Sequence, residues 1–327
     1  LEGSLLEIRD LKTYFFTEAG VVRAVDNASV DVKPKETVGL VGESGSGKTV
    51  TALSALRIVP RPGRIVGGSI SFEGADVLAK SENEMRHLRG PKMAMVFQDP
   101  SSSLNPVYTV EKQLTDILIL HRNLNRNEAS QRAEYLLELV GISEAKARLK
   151  VYPFELSGGM KQRIAIARAL SCEPTLLFAD EPTTNLDVTV QAQVLELMKK
   201  LQRDLGMSMV MITHDMGIIA DMTERVTIMY AGKVMEAADT RTIFREPKHP
   251  YTEALLAAVP RVDQRKILEV IPGNIPNLIE PPSGCVFHPR CKYAKQMCVE
   301  TIPPLEEIGT ERKVACLRWK EVTLKGV

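Results

Sequence analysis

Glu36-Thr37-Val38-Gly39-Leu40-Val41-Gly42-Glu43-Ser44-Gly45-Ser46-Gly47-Lys48-Thr49-Val50 is the stretch that decides the fold of this chain. From Gly42 to Thr49 it satisfies G-x-x-x-x-G-K-[ST] at every required position. The apolar run before it suits a buried strand, and Thr51-Ala52-Leu53-Ser54-Ala55-Leu56 after it suits a helix. Glycines let successive backbone N–H groups turn toward one anion, and the helix N-terminus adds partial positive charge. Lys48 then reaches the β- and γ-phosphates of a nucleoside triphosphate, while the Thr49 hydroxyl is placed to ligate Mg²⁺.

Outward from this loop, composition sets the limits. With 327 residues, 44% hydrophobic and 25% charged, the chain is long enough for one large domain plus an appendage, or for two domains. No apolar run approaches the roughly 18 residues of a membrane span. Nothing reads as a secretory leader, Leu1-Glu2-Gly3-Ser4 reads as a vector-derived remnant, and a cytosolic location is the default. Forty-two basic against 41 acidic side chains leave a formal charge of +1, which gives no chain-wide footprint for nucleic acid.

Upstream of the loop, Leu5 to Val32 predicts two short strands about the turn Thr17-Glu18-Ala19-Gly20. Tyr14, Phe15 and Phe16 end the first strand, where a ring can stack on a purine, although aromatics at strand ends more often belong to a core. Downstream, Pro60-Arg61-Pro62-Gly63 breaks the chain and a strand resumes at Gly68-Ser69-Ile70-Ser71-Phe72. Met93-Ala94-Met95-Val96-Phe97 predicts a buried strand ending at Gln98, an amide suited to water and Mg²⁺ contact or simply a polar strand end. From Val110 to Leu149, apolar residues at three- and four-residue spacing predict a helical insert. It closes at Leu156-Ser157-Gly158-Gly159-Met160-Lys161-Gln162, followed by a helix through Ile164, Ile166, Ala167 and Leu170.

Thr175-Leu176-Leu177-Phe178-Ala179 then leads to Asp180-Glu181. Strand side chains alternate, so the two carboxylates point differently and can do different work. Asp180 can enter the Mg²⁺ shell, and Glu181 can polarise a water for in-line attack on the γ-phosphate. Val188 to Leu205 predicts an amphipathic helix, and Met209-Val210-Met211-Ile212-Thr213 a buried strand ending at His214. Gln98, Glu181 and His214 all sit at strand ends, where open α/β sheets bind their ligands.

Together these motifs resemble the ATP-binding subunits of ATP-binding-cassette transporters, over roughly Leu5 to Glu246. The resemblance implies that Lys48, Thr49 and the backbone of Gly45, Ser46, Gly47 and Val50, with Gly42 and Ser44, bind ATP. It implies Mg²⁺ held by Thr49, Gln98 and Asp180, Glu181 as general base, and His214 as γ-phosphate sensor. The signature Ser157, Gly158, Gly159 and Gln162 would act in trans on nucleotide held by an opposing subunit, with Asp187 in the D-loop. For the adenine platform the register favours Phe15, with Tyr14 close behind. Asn185 stands where the family usually has Ala, which bears on how two sites are coupled.

The implied fold class is α/β: a P-loop core with an antiparallel β subdomain and an α-helical subdomain at about 100–170, and a small C-terminal metal-bearing domain. Its expected division is 1–246 for the nucleotide-binding domain and 247–327 for an extension. That extension, with His249-Pro250-Tyr251 and Gly284-Cys285-Val286-Phe287-His288-Pro289-Arg290-Cys291, resembles the C-terminal region of the oligopeptide, dipeptide and nickel importer ATPases. The resemblance implies an ATPase energising peptide import from the cytoplasmic face of the cell membrane. Its partners would be two integral-membrane permease subunits, a second and paralogous ATPase subunit, and an external substrate-binding protein. Nickel or sugar import within the family is the alternative. A cassette ATPase acting on DNA, ribosomes or iron–sulfur assembly is the rival from another class. It is disfavoured by the compact segment between P-loop and signature and by the single cassette.

Cys285, Cys291, Cys298 and Cys316 cluster near the end with spacing C-x5-C-x6-C-x17-C. Disulfides are disfavoured in the cytosol, so clustered thiols point to a metal. The tight pairs of a zinc site are missing, and four cysteines suit a [4Fe–4S] cluster, with Zn²⁺ or plain reduced thiols as alternatives. Cysteine-bearing members of the extended family fit the cluster. Cys172 reads as a small core residue.

Overall fold

The computed structural model describes residues 3–184, 186–259 and 271–327. The readings placed on Leu1, Glu2 and Asn185 lie outside the described residues. The strands are β1 (Leu6–Thr17), β2 (Gly20–Val32), β3 (Thr37–Val41), β4 (Gly63–Phe72), β5 (Ala75–Asp76), β6 (Met93–Val96), β7 (Leu176–Asp180), β8 (Ser208–Thr213), β9 (Arg225–Tyr230), β10 (Lys233–Asp239), β11 (Glu306–Gly309) and β12 (Arg312–Val314). The chain forms two compact units, the described residues of Leu1–Ala79 with Met211–Val327, and Lys80–Val210, with β8 at the division.

In the first unit, β2-β1-β4-β5 make an antiparallel sheet. β1 and β2 run 12 and 13 residues, longer than the short strands expected. Their pairing survives irregularities because extra residues are bulged out: Asp10 and Asn27 take φ of +48° and +62° where the register shifts, and alternation resumes beyond them. A second sheet contains β11-β12-β10-β9-β3. β3, Thr-Val-Gly-Leu-Val, is buried at every residue and pairs in parallel with β9, which is why it reads as a continuous apolar run. It delivers the chain into the loop before the helix Lys48–Ala55.

The second unit pairs β6 and β7 in parallel, with Val96 opposite Ala179. Its insert resolves into helices at Val110–Arg122, Arg126–Leu139 and Ala145–Arg148, then Gly158–Leu170 and Val188–Leu205. Thr109 caps the first of these, and Asn125 with Glu128 forms a reciprocal capping box on the second. Leu114, Leu118, Ala133, Leu136 and Leu137 are the buried stripe that the spacing predicts. Among the described residues no helix is long and apolar enough to cross a membrane.

A separate C-terminal metal-bearing domain is not seen among the described residues. β12 instead pairs with β10, Glu236 opposite Val314, so the extension continues the sheet that holds β3. The reason is a buried carboxylate. Glu236 is fully buried and accepts from the backbone N–H of Lys248 (2.8 Å) and His249 (2.9 Å), from the Thr252 hydroxyl (2.7 Å) and from Arg312 (3.4 Å). Burial pushes its carboxyl up, while these donors pull it down. A charge withdrawn from water needs such partners.

His249 is sealed beside this carboxylate. Its Nδ1 accepts the Tyr251 backbone N–H at 3.0 Å, which requires the neutral ring. Burial pushes the imidazole from 6.5 down to about 3, against a hydrogen bond to the Ala315 backbone that pulls it up. Between those values the unfolded chain binds a proton that the folded chain refuses, so stability is present above the ordinary value and is lost as pH falls. From about pH 7 to about pH 5 this residue is expected to remove about 2 kcal/mol of unfolding free energy. Urea unfolding of His249→Gln, neutral in both states, is expected to lose correspondingly less; the same pH slope in both proteins would clear His249 of the effect.

Candidate functional site

In the first unit, the loop after β3 curls because its glycines allow it. Gly45 and Gly47 take φ of +77° and +101°, and a Cβ on Gly47 would lie 2.5 Å from the Ala24 carbonyl oxygen. Ser46 and Lys48 are buried, whereas Ser44, Gly45 and Thr49 are exposed and Val50 is half-buried. The Lys48 ammonium folds back over the loop, donating to the carbonyls of Gly42 (2.7 Å) and Glu43 (3.0 Å) and to Ser46 Oγ (3.4 Å). A buried cation thus stands over a ring of backbone, the charge pattern that receives a phosphate chain.

The three aromatic residues of β1 divide. The Tyr14 hydroxyl donates to Asp26 (2.8 Å), which also takes Lys233 (2.7 Å). Burial first, then Asp26, pushes the phenol up to about 12. Phe15 is half-buried against Gly63, where an added Cβ would lie 2.7 Å from its ring, and Phe16 is exposed with Arg64 above it at 5.6 Å. His214 follows directly on β8, exposed, and the next residue, Asp215, caps the helix Met216–Met222.

In the second unit, the parallel register sets the end of β7 beside the end of β6. Asp180 is buried at the last position of β7, and Glu181 follows at φ +43°, a conformation a β-carbon disfavours. That turn directs its carboxylate to Gln98, whose amide donates to Glu181 Oε2 at 2.9 Å. The Thr184 hydroxyl donates to the same oxygen at 3.0 Å. Thr184 was not singled out in the sequence; its position three residues past the carboxylate, in a turn, was the available signal. Backbone strain of this kind persists where surrounding contacts over-determine it, and such places cluster at functional sites.

The signature residues lie at the start of the helix Gly158–Leu170. Ser157, exposed, caps it by accepting the Met160 N–H at 3.3 Å, and Gly158 is exposed beside it. A Cβ on Gly159 would stand 2.7 Å from Val190, so glycine is what lets this helix start approach the one that Asp187 caps. Gln162 is different: it is buried, and its Nε2 has no partner among the described residues.

The four C-terminal cysteines do converge, lining one cavity of about 20 Å³ together with His249 and His288. They are free thiols. Burial, reinforced by their mutual proximity, pushes Cys285 up to about 12 and Cys316 to about 11, with Cys291 raised also. The expected [4Fe–4S] cluster, with Zn²⁺ as its alternative, finds no support in this arrangement. Among the described residues no group of three or more Cys, His, Asp or Glu is arranged to hold a metal ion, and the cavity has room for about one water.

The phosphate cradle and the paired carboxylates define a P-loop nucleoside triphosphatase. Residues 25–184 match the family described as ABC transporter, and residues 235–298 match the oligopeptide/dipeptide transporter, C-terminal region. The chain is 46% identical to the oligopeptide transport ATP-binding protein OppD of Escherichia coli, over 98% of this chain and 95% of that one. It is 47% identical to the oligopeptide transport ATP-binding protein AppD of Bacillus subtilis, over 98% of each. Among solved structures, it resembles the dimeric ATP-binding cassette MJ0796 in a post-hydrolysis state bound to ADP and Pi. That match has a TM-score of 0.65 at 26% identity and covers 72% of this chain and 99% of that one. This chain belongs to the ABC transporter ATPase family, in the branch that carries the oligopeptide/dipeptide transporter C-terminal region.

Because the raised thiols are protonated at neutral pH, alkylation of Cys285 and Cys316 by iodoacetamide in the folded chain is expected to be slow near pH 7. It should accelerate toward about pH 11, as followed by mass spectrometry. Fast alkylation near pH 7 would show that these thiols are not held protonated, and stoichiometric iron with acid-labile sulfide in anaerobically purified protein would support the cluster.

Proposed function

We propose that this chain is the ATP-hydrolysing subunit that energises import of di- or oligopeptides through a membrane transporter. The observation that carries the substrate class is near-complete alignment, at 46–47% identity, with proteins named as oligopeptide transport ATP-binding proteins. Those relatives favour peptides over nickel or sugars, the alternatives within the family.

In this reading the Gly45–Val50 backbone with Gly42, Ser44 and Lys48 binds the triphosphate, and Phe15 stacks on the adenine, since the Tyr14 hydroxyl is committed to Asp26. Mg²⁺, when bound with ATP, neutralises charge developing on the phosphates; Thr49, Asp180 and Gln98 would hold it. Glu181 takes a proton from the attacking water, and His214 senses the γ-phosphate. Support for Glu181 comes from its fixed orientation, with Gln98 and Thr184 on one carboxylate oxygen. Ser157, Gly158 and Gly159 act in trans on nucleotide held by an opposing ATPase subunit, a paralogue, and Asp187 belongs to the same interface. Gln162, being buried, supports this helix from within.

The remaining partners are two integral-membrane permease subunits and, indirectly, an external substrate-binding protein, which places the chain on the cytoplasmic face of the membrane. Nucleic acid has no role. The division proposed is 1–246 for nucleotide and 247–327 for the extension, with helical docking surface for the permease at about 100–170. Exposed Val107, Tyr108, Leu120, Tyr152 and Phe154 support that docking surface.

In the assembled transporter, Glu181→Gln is expected to bind ATP with unchanged affinity and to lower turnover by at least roughly 100-fold, the usual loss of a positioned general base. Undiminished turnover would remove Glu181 as the base. Peptide uptake that survives deletion of this chain would overturn the transport reading.

A further inference from the structure

Glu43 is the second residue of the P-loop, and its polar groups are held from two directions. Its carbonyl is taken by Lys48 Nζ (3.0 Å) and the Ser46 N–H (3.2 Å), both inside the loop. Its own N–H and its carboxylate are held by the C-terminal extension. The N–H donates to the Tyr251 hydroxyl at 2.9 Å. The carboxylate receives both terminal nitrogens of Arg290, Nη1 to Oε2 at 2.6 Å and Nη2 to Oε1 at 3.1 Å.

This fork is built rather than incidental. The Arg290 side chain is 5% exposed, so its charge has been withdrawn from water and is compensated here. Its remaining donors are spent on the same neighbourhood: Nε on the Pro272 carbonyl (2.9 Å), Nη2 also on the Ile271 carbonyl (3.2 Å), Nη1 also on the Tyr230 hydroxyl (3.2 Å). Beneath it, Tyr230, Tyr251 and Phe287 pack with ring centroids 4.7–5.2 Å apart, which fixes the plane from which Tyr251 and Arg290 reach the loop. A bidentate arginine sets angle as well as distance. Because the Glu43 carbonyl is also a seat of the Lys48 ammonium, displacing Glu43 displaces the group that meets the phosphates.

We propose that Arg290, assisted by Tyr251, is a positioning residue for the P-loop, so that the C-terminal extension acts in cis on nucleotide affinity. The proposal rests on the P-loop being the ATP site. A tether that merely fastened the extension would need no contact inside the phosphate loop. Here the two contacts fall on one loop residue, through its backbone and its side chain at once.

The test is titration of the full chain with a fluorescent ATP analogue, alongside thermal unfolding. Arg290→Ala is expected to weaken binding roughly tenfold, and Arg290→Lys, which keeps the charge but loses the fork, by less. Glu43→Gln is expected to weaken it too, and the Arg290→Ala/Glu43→Gln double variant to be no weaker than Arg290→Ala alone, because the two residues act as one unit. Should Arg290→Ala fail to fold, Arg290→Lys, Glu43→Gln and their combination form the same cycle. Wild-type affinity in the Arg290 variants with only a lowered melting point would reduce the pair to a structural tether and overturn the proposal, as would additive losses. Wild-type protein that binds no analogue would defeat the P-loop reading instead.

Discussion

A loop that must offer its backbone N–H groups to an anion cannot spend them on secondary structure, so something else has to hold it. In this chain the holding is done by charge and by crowding. Lys48 gathers the loop's carbonyls from inside, glycine admits the close approach of Gly47 to the Ala24 carbonyl, and Arg290 and Tyr251 brace Glu43 from outside. Strand β3 provides the rigid entry, since each of its residues is buried. The remainder of the first unit can be understood as what keeps those braces in place.

That dependence explains why the extension continues a sheet instead of standing apart. Tyr251 can reach Glu43 only if the helix Pro250–Ala257 is fixed, and Glu236 fixes it by collecting the N–H groups at residues 248 and 249 and the Thr252 hydroxyl. Arg312, at the start of β12, reaches the same carboxylate, so one buried charge joins the first helix of the extension to its last strands. Removing a single donor would leave charge exposed to an apolar interior, which makes the arrangement cooperative.

Much of this was legible from residue pattern. The P-loop, the buried strands, the helices of the insert and the strand-end positions of Gln98, Glu181 and His214 all follow from local periodicity and chemistry, which the sequence carries directly. What stayed hidden depends on distant pairing. Nothing near Glu43 indicates that its partner lies 247 residues away, and nothing near Arg290 distinguishes it from a surface arginine. The lengths of β1 and β2 were underestimated because bulges interrupt alternation without ending the strands. The cysteines are an intermediate case: their spacing says that thiols can gather, and the fold does gather them round one cavity, but the enclosure that burial gives them is set by distant packing.

The carboxylate proposed as base shows how two elements of modest rigidity can fix one atom. Gln98 lies two residues past β6 and Glu181 one past β7, and the register that sets Val96 opposite Ala179 brings both to the same level. Parallel pairing therefore supplies the distance, and the positive φ of Glu181 supplies the direction. Thr184, from the turn that follows, adds a second donor to the oxygen Gln98 already holds, so rotating the carboxylate breaks two bonds at once. The strain at Glu181 is sustained by those contacts and would be relieved only if they were released. Its orientation is thus a property of the strand pair and the turn together, and not of the acidic residue alone.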